Sequence, residues 1–464
     1  MGTINGLRVV KPEKYSHFSP QLERVERMLS QSDCDFSSLA VFPGFCDVHV
    51  HLREPGFSYK ETIATGTRAA ARGGFTDVCA MPNLDPVPDS LENLAYEQEL
   101  IESDAVIRVY PYASITRGEA GAELVDIEQL GQHVVGFSDD GKGVQSAAMM
   151  REAMELIAAT GKPIATHSEI EQLKGDGYIN AGDYANAHGH RGIPKEAEWA
   201  QIQRDIELAQ ATGVKYHVCH ISCAESVQLV REAKEHGIDI TCETAPHYLL
   251  IDDSMLEEDG RFKMNPPLRS PEDRQALIEA LIDGTIDIIA TDHAPHSASE
   301  KAQGLAGSAF GIVGIETSFQ LMYTRFVLSG KISMERLLEL MVLTPRERFG
   351  LPAAGSGDFT VWDLGARSEV NPSDFLSLGK AQPYTGMDVN GRCLLTVVDG
   401  VVAYAAPELK LDGSQAGRLD ADRLDDVAQM RGYQVESLKT GGFETGDVTD
   451  TVDTPTSDAQ SEER

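Results

Sequence analysis

The sequence predicts an α/β chain: a (β/α)8, or TIM, barrel with a small β-rich domain built from both chain ends. Three observations lead there. Short apolar, β-branched runs alternate with longer amphipathic stretches, which implies βαβ units and a parallel sheet. Eight such runs fall within about 250 residues, the count and size of a closed barrel. Polar residues able to bind metal or substrate recur at the C-terminal ends of these runs, the face where barrel enzymes gather reactive groups. An open doubly wound sheet would explain the alternation, but neither the number eight nor that placement.

The barrel strands are expected at 45–51 (FCDVHVH), 75–81 (FTDVCAM), 107–113 (IRVYPYA), 133–138 (HVVGFS), 163–168 (PIATHS), 214–221 (VKYHVCHI), 238–243 (IDITCE) and 287–292 (DIIATD). Segments such as 147–160 and 225–236 carry apolar residues at helical spacing. The barrel is placed at 43–350. Residues 1–42 hold a strand-like GLRVV and a helix-like QLERVERMLS, and 351–407 hold DFTVWDL and CLLTVVDGVVAY. Together these two segments form the small domain, with the Asp-Gly of the last run as a hairpin turn. From 408 to 464 the apolar periodicity is lost, and this acidic tail is expected to be disordered.

Charge and composition narrow the partners. The formal net charge is −33, and no basic run interrupts it, so a nucleic-acid partner is excluded, because phosphate binding needs clustered Lys and Arg. Residues 441–464, with seven acids and one base, account for only −6; the acidity belongs to the folded body too. No apolar run approaches the ~20 residues of a membrane span, and the N-terminus has no apolar leader. Seven scattered cysteines form no disulfide pattern and read as reduced core thiols. A cytoplasmic protein without a membrane partner is expected.

The chemistry is concentrated at the strand ends. His49 and His51 are two apart on a strand, so both imidazoles point the same way, into the barrel mouth. Such a pair suits a divalent transition metal such as zinc. Asp139-Asp140 follows the fourth strand, His167 ends the fifth, His220 the sixth and Asp292 the eighth. Four His and two Asp at five strand ends make a ligand set for two ions sharing one carboxylate. Arg53, two residues beyond His51, offers a planar fork to a carboxylate. His217 falls on the strand face opposite His220 and is read as packed or hydrogen-bonded. His188 and His190 have no strand beneath them, and Cys219 and Cys223 lack a second cysteine pair, so neither pair is read as a metal site.

In this order, PGFCDVHVHLREPG, AMPN, GFSDDGKGVQ, THSE, VCHIS, KMNPPLR and ATDHAPH resemble the dihydroorotases, of the cyclic amidohydrolase branch of the amidohydrolase superfamily. The resemblance runs from about residue 43 to 405. It implies a metal-dependent hydrolase of cyclic amide C–N bonds, interconverting N-carbamoyl-L-aspartate and L-dihydroorotate in pyrimidine biosynthesis. His49, His51 and Asp292 match the ligands of one zinc ion, and His167 and His220 those of a second. Asp140 stands where many relatives carry a carboxylated lysine, bridging the ions together with a hydroxide; Lys142 is read as exposed. Asp292 is implied as general acid and base, and Arg53, Asn83, Asn265 and His296 as substrate contacts. His247 matches a recurring family segment.

The resemblance leaves a homo-oligomer and an association with aspartate transcarbamoylase open. Hydantoinases, dihydropyrimidinases and allantoinases share barrel and ligands, but their ring substrates lack the carboxylate that Arg53 would hold. A metal-free structural partner of the transcarbamoylase would lack the six ligands. The N-terminal lead-in carries fewer strand signals than the family pattern, so its part of the small domain is expected to be reduced or rearranged.

Overall fold

Strands Phe45–Val50, Phe75–Ala80 and Arg108–Pro111 pair in parallel as one arc in the computed structural model. Pro163–Thr166, Lys215–Val218, Ile240–Thr244 and Ile288–Ile289 form a second parallel arc. Phe137 bridges in parallel to both Ala113 and Ile164, and Val50 to His293. These contacts join the arcs at both ends, and eight parallel positions close into a barrel. The described residues are 2–4, 7–20, 25, 29 and 38–409. The acidic tail beyond 409 and most of QLERVERMLS lie outside them; Val25 and Leu29 of that segment are helical and buried.

The first strand is buried at all six positions, as a strand covered on both faces must be. The expected fourth strand is reduced to its bridging residue. Beside it, a Cβ on Gly136 would lie 2.8 Å from the Pro163 carbonyl oxygen, so only glycine lets the neighbouring strand approach this closely. The ladder nevertheless continues: Val135 N–H donates to the Pro111 carbonyl (3.0 Å), Ser138 N–H to Ala113 (3.0 Å), and Ala165 N–H to Phe137 (2.9 Å).

Outer helices follow their sequence signals. In Ala147–Thr160 the Ser146 side chain accepts from Met149 N–H, and Gly161 ends the helix at φ 72°. Its Met150, Ala153, Met154 and Ile157 are buried, the i, i+3, i+4, i+7 stripe that faces a core.

The terminal segments meet in one six-stranded sheet, ordered Gly2–Ile4, Leu7–Val9, Leu39–Pro43, Phe359–Glu369, Asp388–Val398, Val401–Ala405. Asp399 and Gly400 turn the last hairpin with φ 50° and 75°, as a two-residue turn of the I′ kind requires. The N-terminal side contributes three strands where only GLRVV was signalled. Leu39–Pro43 is wholly buried between a parallel and an antiparallel neighbour; a strand in that place shows no polar alternation.

One buried ion-pair network ties the second strand to the helix Thr344–Phe349. Asp77 accepts from Arg346 Nη2 (2.5 Å) and Arg108 Nε (2.7 Å), and Arg108 also reaches Asp358 (3.0 Å). Burial would raise the Asp77 pKa, but the two guanidiniums hold it well below the usual carboxylate range. A depressed pKa stabilises the fold above the unfolded value near 4, and this contribution is lost as pH falls further. Arg346→Met is expected to cost about 3–5 kcal/mol in urea unfolding, because it strips one partner from a buried charge. Adding Asp77→Asn to that variant should recover part of the loss.

Candidate metal centre

The expected ligands converge where the barrel closes. His49 Nε2 lies 3.4 Å from Asp140 Oδ1 and 3.5 Å from Asp292 Oδ1. His51 Nε2 lies 3.1 Å from the same Asp292 oxygen and 3.5 Å from Asp140 Oδ2. Around the same Asp140 Oδ1, His167 Nδ1 and His220 Nε2 face each other at 3.0 Å and lie 3.9 and 4.0 Å from that oxygen. All six residues are buried. Asp139 is engaged elsewhere, accepting from the backbone N–H groups of Ile115 (2.7 Å) and Thr116 (3.0 Å), so Asp140 alone of the pair faces the histidines. Lys142 is exposed.

Backbone conformation and hydrogen bonds aim these groups. His220 and Asp292 have φ of 29° and 46°, outside the range most L-residues adopt and characteristic of side chains re-aimed at functional sites. His49 Nδ1–H donates to Glu243 (2.6 Å) and His51 Nδ1–H to Asn83 Oδ1 (2.8 Å). Each bond orients its ring so that Nε2 faces the two aspartates, the outer support usual for metal-binding imidazoles. The His167 Nε2 edge is turned to the Asn265 amide nitrogen (3.2 Å) and Glu169 Oε2 (3.7 Å).

The electrostatics match a cation at this position. Burial opposes ionisation of Asp140 and Asp292, but the imidazoles outweigh it, holding Asp140 well below the carboxylate range and Asp292 down to about 2. Burial and the neighbouring His167 and His49 push His220 down to about 4. His49 Nε2, Asp140 Oδ1 and His220 Nδ1 are buried without hydrogen-bond partners. Two three-residue groups, His49/His51/Asp140 and Asp140/His167/His220, each bring one donor atom per residue within 4.8 Å of the others and share Asp140. Two carboxylates and four imidazoles brought together, with His49 Nε2 and Asp140 Oδ1 left without hydrogen-bond partners, are a donor set that a divalent cation satisfies. The residues fit a metal cofactor.

The remaining candidates line the same mouth. Arg53, at φ 63°, is buried; its Nε–H donates to the Pro295 carbonyl (3.2 Å), and Nη2 lies 3.3 Å from His296 Nε2. His296 Nε2–H donates to the Phe310 carbonyl (2.6 Å). It cannot also accept from Arg53, so the Nη2 arm of the fork is left for another acceptor. Burial, then Arg53, pushes the His296 pKa down to about 3; its buried Nδ1 makes no hydrogen bond and lies 3.6 Å from Glu300 Oε2.

Sequence reasoning missed Glu243, Asp47 and Glu169, and it treated Asn83 only as a substrate contact. Asp47 was within reach: two residues before His49, it shares that face, and it accepts from His49 N–H (3.1 Å) and Thr291 Oγ1–H (2.5 Å). His217 is hydrogen-bonded, as expected, to Thr241 and Glu243. His190 is taken by Tyr178 and Glu258, and His188 by the Tyr184 carbonyl. No helix among the described residues is long and apolar enough to cross a membrane.

Comparison with known proteins gives one consistent result. Residues 39–226 match the family described as Dihydro-orotase-like. The chain is 48% identical over 397 residues to the dihydroorotase of Fusobacterium nucleatum subsp. nucleatum, covering 84% of this chain and 93% of that protein. It is 47% identical over 407 residues to the dihydroorotase of Shouchella clausii, covering 86% and 95%. Among solved structures, the L-hydantoinase (dihydropyrimidinase) of Arthrobacter aurescens superposes with a TM-score of 0.70 at 28% identity, over 78% of this chain and 85% of that one. The D-hydantoinase of Thermus sp., at 23% identity, has a TM-score of 0.68 over 82% and 88% and shares the fold.

A cation bound by the folded chain adds stability by mass action, about 2.7 kcal/mol at a hundred times its dissociation constant. Dialysis against a chelator is therefore expected to lower the thermal midpoint, and a divalent ion to restore it. His220→Ala should blunt that restoration in the same melting experiment.

Proposed function

This chain belongs to the dihydroorotase family, and from that membership we infer that it interconverts L-dihydroorotate and N-carbamoyl-L-aspartate at the cluster around Asp140. The observation that carries the reading is the position of Arg53. Its free guanidinium arm sits in the same mouth as the metal ligands, backed by Pro295 and His296, and dihydroorotate differs from hydantoin-type rings in having a carboxylate for such a fork.

Two zinc ions are the proposed complement: His49, His51 and Asp292 would hold one and His167 and His220 the other, with Asp140 within reach of both groups. When bound, they supply Lewis acidity toward the ring carbonyl and lower the pKa of water. The residues of the chain do the rest. Asp292, buried at the mouth within 3.1 Å of His51 Nε2, accepts the proton of the attacking water and returns it to the ring nitrogen. The new C–O bond forms first, and the C–N bond breaks once the nitrogen has received the proton, so one carboxylate serves as base and then acid. In the cyclising direction it takes the proton of the carbamoyl nitrogen instead.

Arg53 holds the ring carboxylate and orients the carbonyl. His296, neutral with Nε2–H committed to Phe310, backs the Arg53 guanidinium from behind. Asn83 and Asn265 reach the substrate with whatever their bonds to His51 and His167 leave free. The six described cysteines are free and buried, which suits a cytoplasmic enzyme.

The test follows loss of dihydroorotate absorbance by purified protein, before and after chelation, with hydantoin and allantoin alongside. Chelation should abolish turnover; activity on hydantoin or allantoin alone would transfer the protein to those activities. Asp292→Asn should retain metal yet lose turnover by several orders of magnitude. Arg53→Ala should raise KM for dihydroorotate by about tenfold or more, corresponding to a charge-assisted contact of about 1.5–3 kcal/mol.

A further inference from the structure

Behind His49, on the side away from Asp140, lies a buried chain of polar groups that the proposed reaction does not use directly. Glu243, on the seventh barrel strand, accepts from His49 Nδ1–H at 2.6 Å and from the backbone N–H of His220 at 3.3 Å through Oε1. Its Oε2 accepts from His217 Nε2–H at 3.1 Å, and its backbone carbonyl accepts from Ile221 N–H at 2.9 Å. His217 Nδ1 lies 2.8 Å from Thr241 Oγ1, and its ring meets Phe349 edge to face, with centroids 5.1 Å apart. Glu243 and His217 are buried.

Two features separate this arrangement from ordinary packing. First, Glu243 touches a residue of each proposed ligand pair: the ring of His49 and the backbone of His220. His220 sits at φ 29°, a conformation that persists only where the surroundings over-determine it. Bonds on both sides of His220, at its own N–H and at that of Ile221, provide that determination. Second, an unpaired carboxylate could not stay ionised at this depth; His217, itself held by Thr241 and Phe349, gives Glu243 a second donor and fixes its plane.

We propose that Glu243, clamped by His217, is the positioning residue that holds His49 Nε2 and the bent His220 backbone in one metal-ready arrangement. This rests on the metal-dependent reading above. The chain thereby sets affinity for the ions, while substrate contact stays with residues across the mouth.

The test is Zn2+ affinity of the metal-stripped full chain, measured by competition with a chromophoric chelator, for Glu243→Gln, Glu243→Ala, His217→Ala and His217→Gln. Loss of an outer partner of a metal-binding histidine typically weakens binding 10–100-fold. That loss is expected for Glu243→Ala, with a smaller one for His217→Ala. His217→Gln should recover part of it, since its amide still donates to Glu243. Thermal melts of the metal-free forms separate this from a packing defect, which would lower the midpoint and leave Zn2+ affinity unchanged. The His217 variants pose the question without altering Glu243, should its truncation prevent folding. Folded Glu243 and His217 variants that bind Zn2+ as tightly as the parent would overturn the proposal. A parent chain that neither binds Zn2+ nor turns over dihydroorotate would instead overturn the reading on which it rests.

Discussion

Closure of the barrel between its first and last strands is the constraint on which the site depends. Val50 bridges in parallel to His293, and His51 N–H donates to the His293 carbonyl at 2.8 Å. Nearly 250 residues separate the partners, so their meeting carries a large loop-closure cost that only the whole ring of strands offsets. Once it forms, Asp292 is brought within 3.1 Å of His51 with no further degree of freedom. Asp47 reinforces the seam by gripping Thr291 while supporting His49. Geometry at the mouth follows from hydrogen bonds made below it.

The same seam explains how so acidic a chain can serve a substrate that is itself an anion. A net charge of −33 repels carboxylates at long range, but exposed charges are screened beyond about 10 Å at 0.1 M salt. Attraction can therefore be local. Arg53 is buried, where low dielectric strengthens each contact it makes. Its position follows from the first strand, two residues after His51, and from a backbone bent to φ 63°. The conformational cost of that bend is borne by the closed barrel around it.

How much of this was legible depends on whether a residue's partners are near in sequence. His49 and His51 share a face by strand alternation, and the strand ends carrying His167, His220 and Asp292 announce themselves by apolar runs that stop at a polar residue. The fold was legible for the same reason, except where burial on both faces erased alternation, as in Leu39–Pro43. Glu243 also ends its run, 238–243, and was passed over; the sequence marks the position, but only the closed ring shows that it lies behind His49. His217 shows where the alternation rule ends: the sixth strand stops at Val218, and the bend at His220 returns both histidines to the same carboxylate.

Two acids beneath the cluster show how partners, rather than burial, decide what a buried group does. Asp47 and Glu243 are equally enclosed. Asp47 has only neutral donors, the Thr291 hydroxyl and two backbone N–H groups. Desolvation wins, and its pKa is pushed up to about 7. Glu243 faces two imidazoles, and these overcome the same desolvation, holding it far below the ordinary carboxylate range. Asp47 is thus suited to an architectural role that survives protonation, because a neutral carboxyl still accepts hydrogen bonds from the strands it joins. Glu243 is the fixed negative charge. Placed on the far side of His49 from Asp140, it raises the basicity of the imidazole nitrogen that faces the aspartates. One acid closes the barrel and the other tunes what the closed barrel holds.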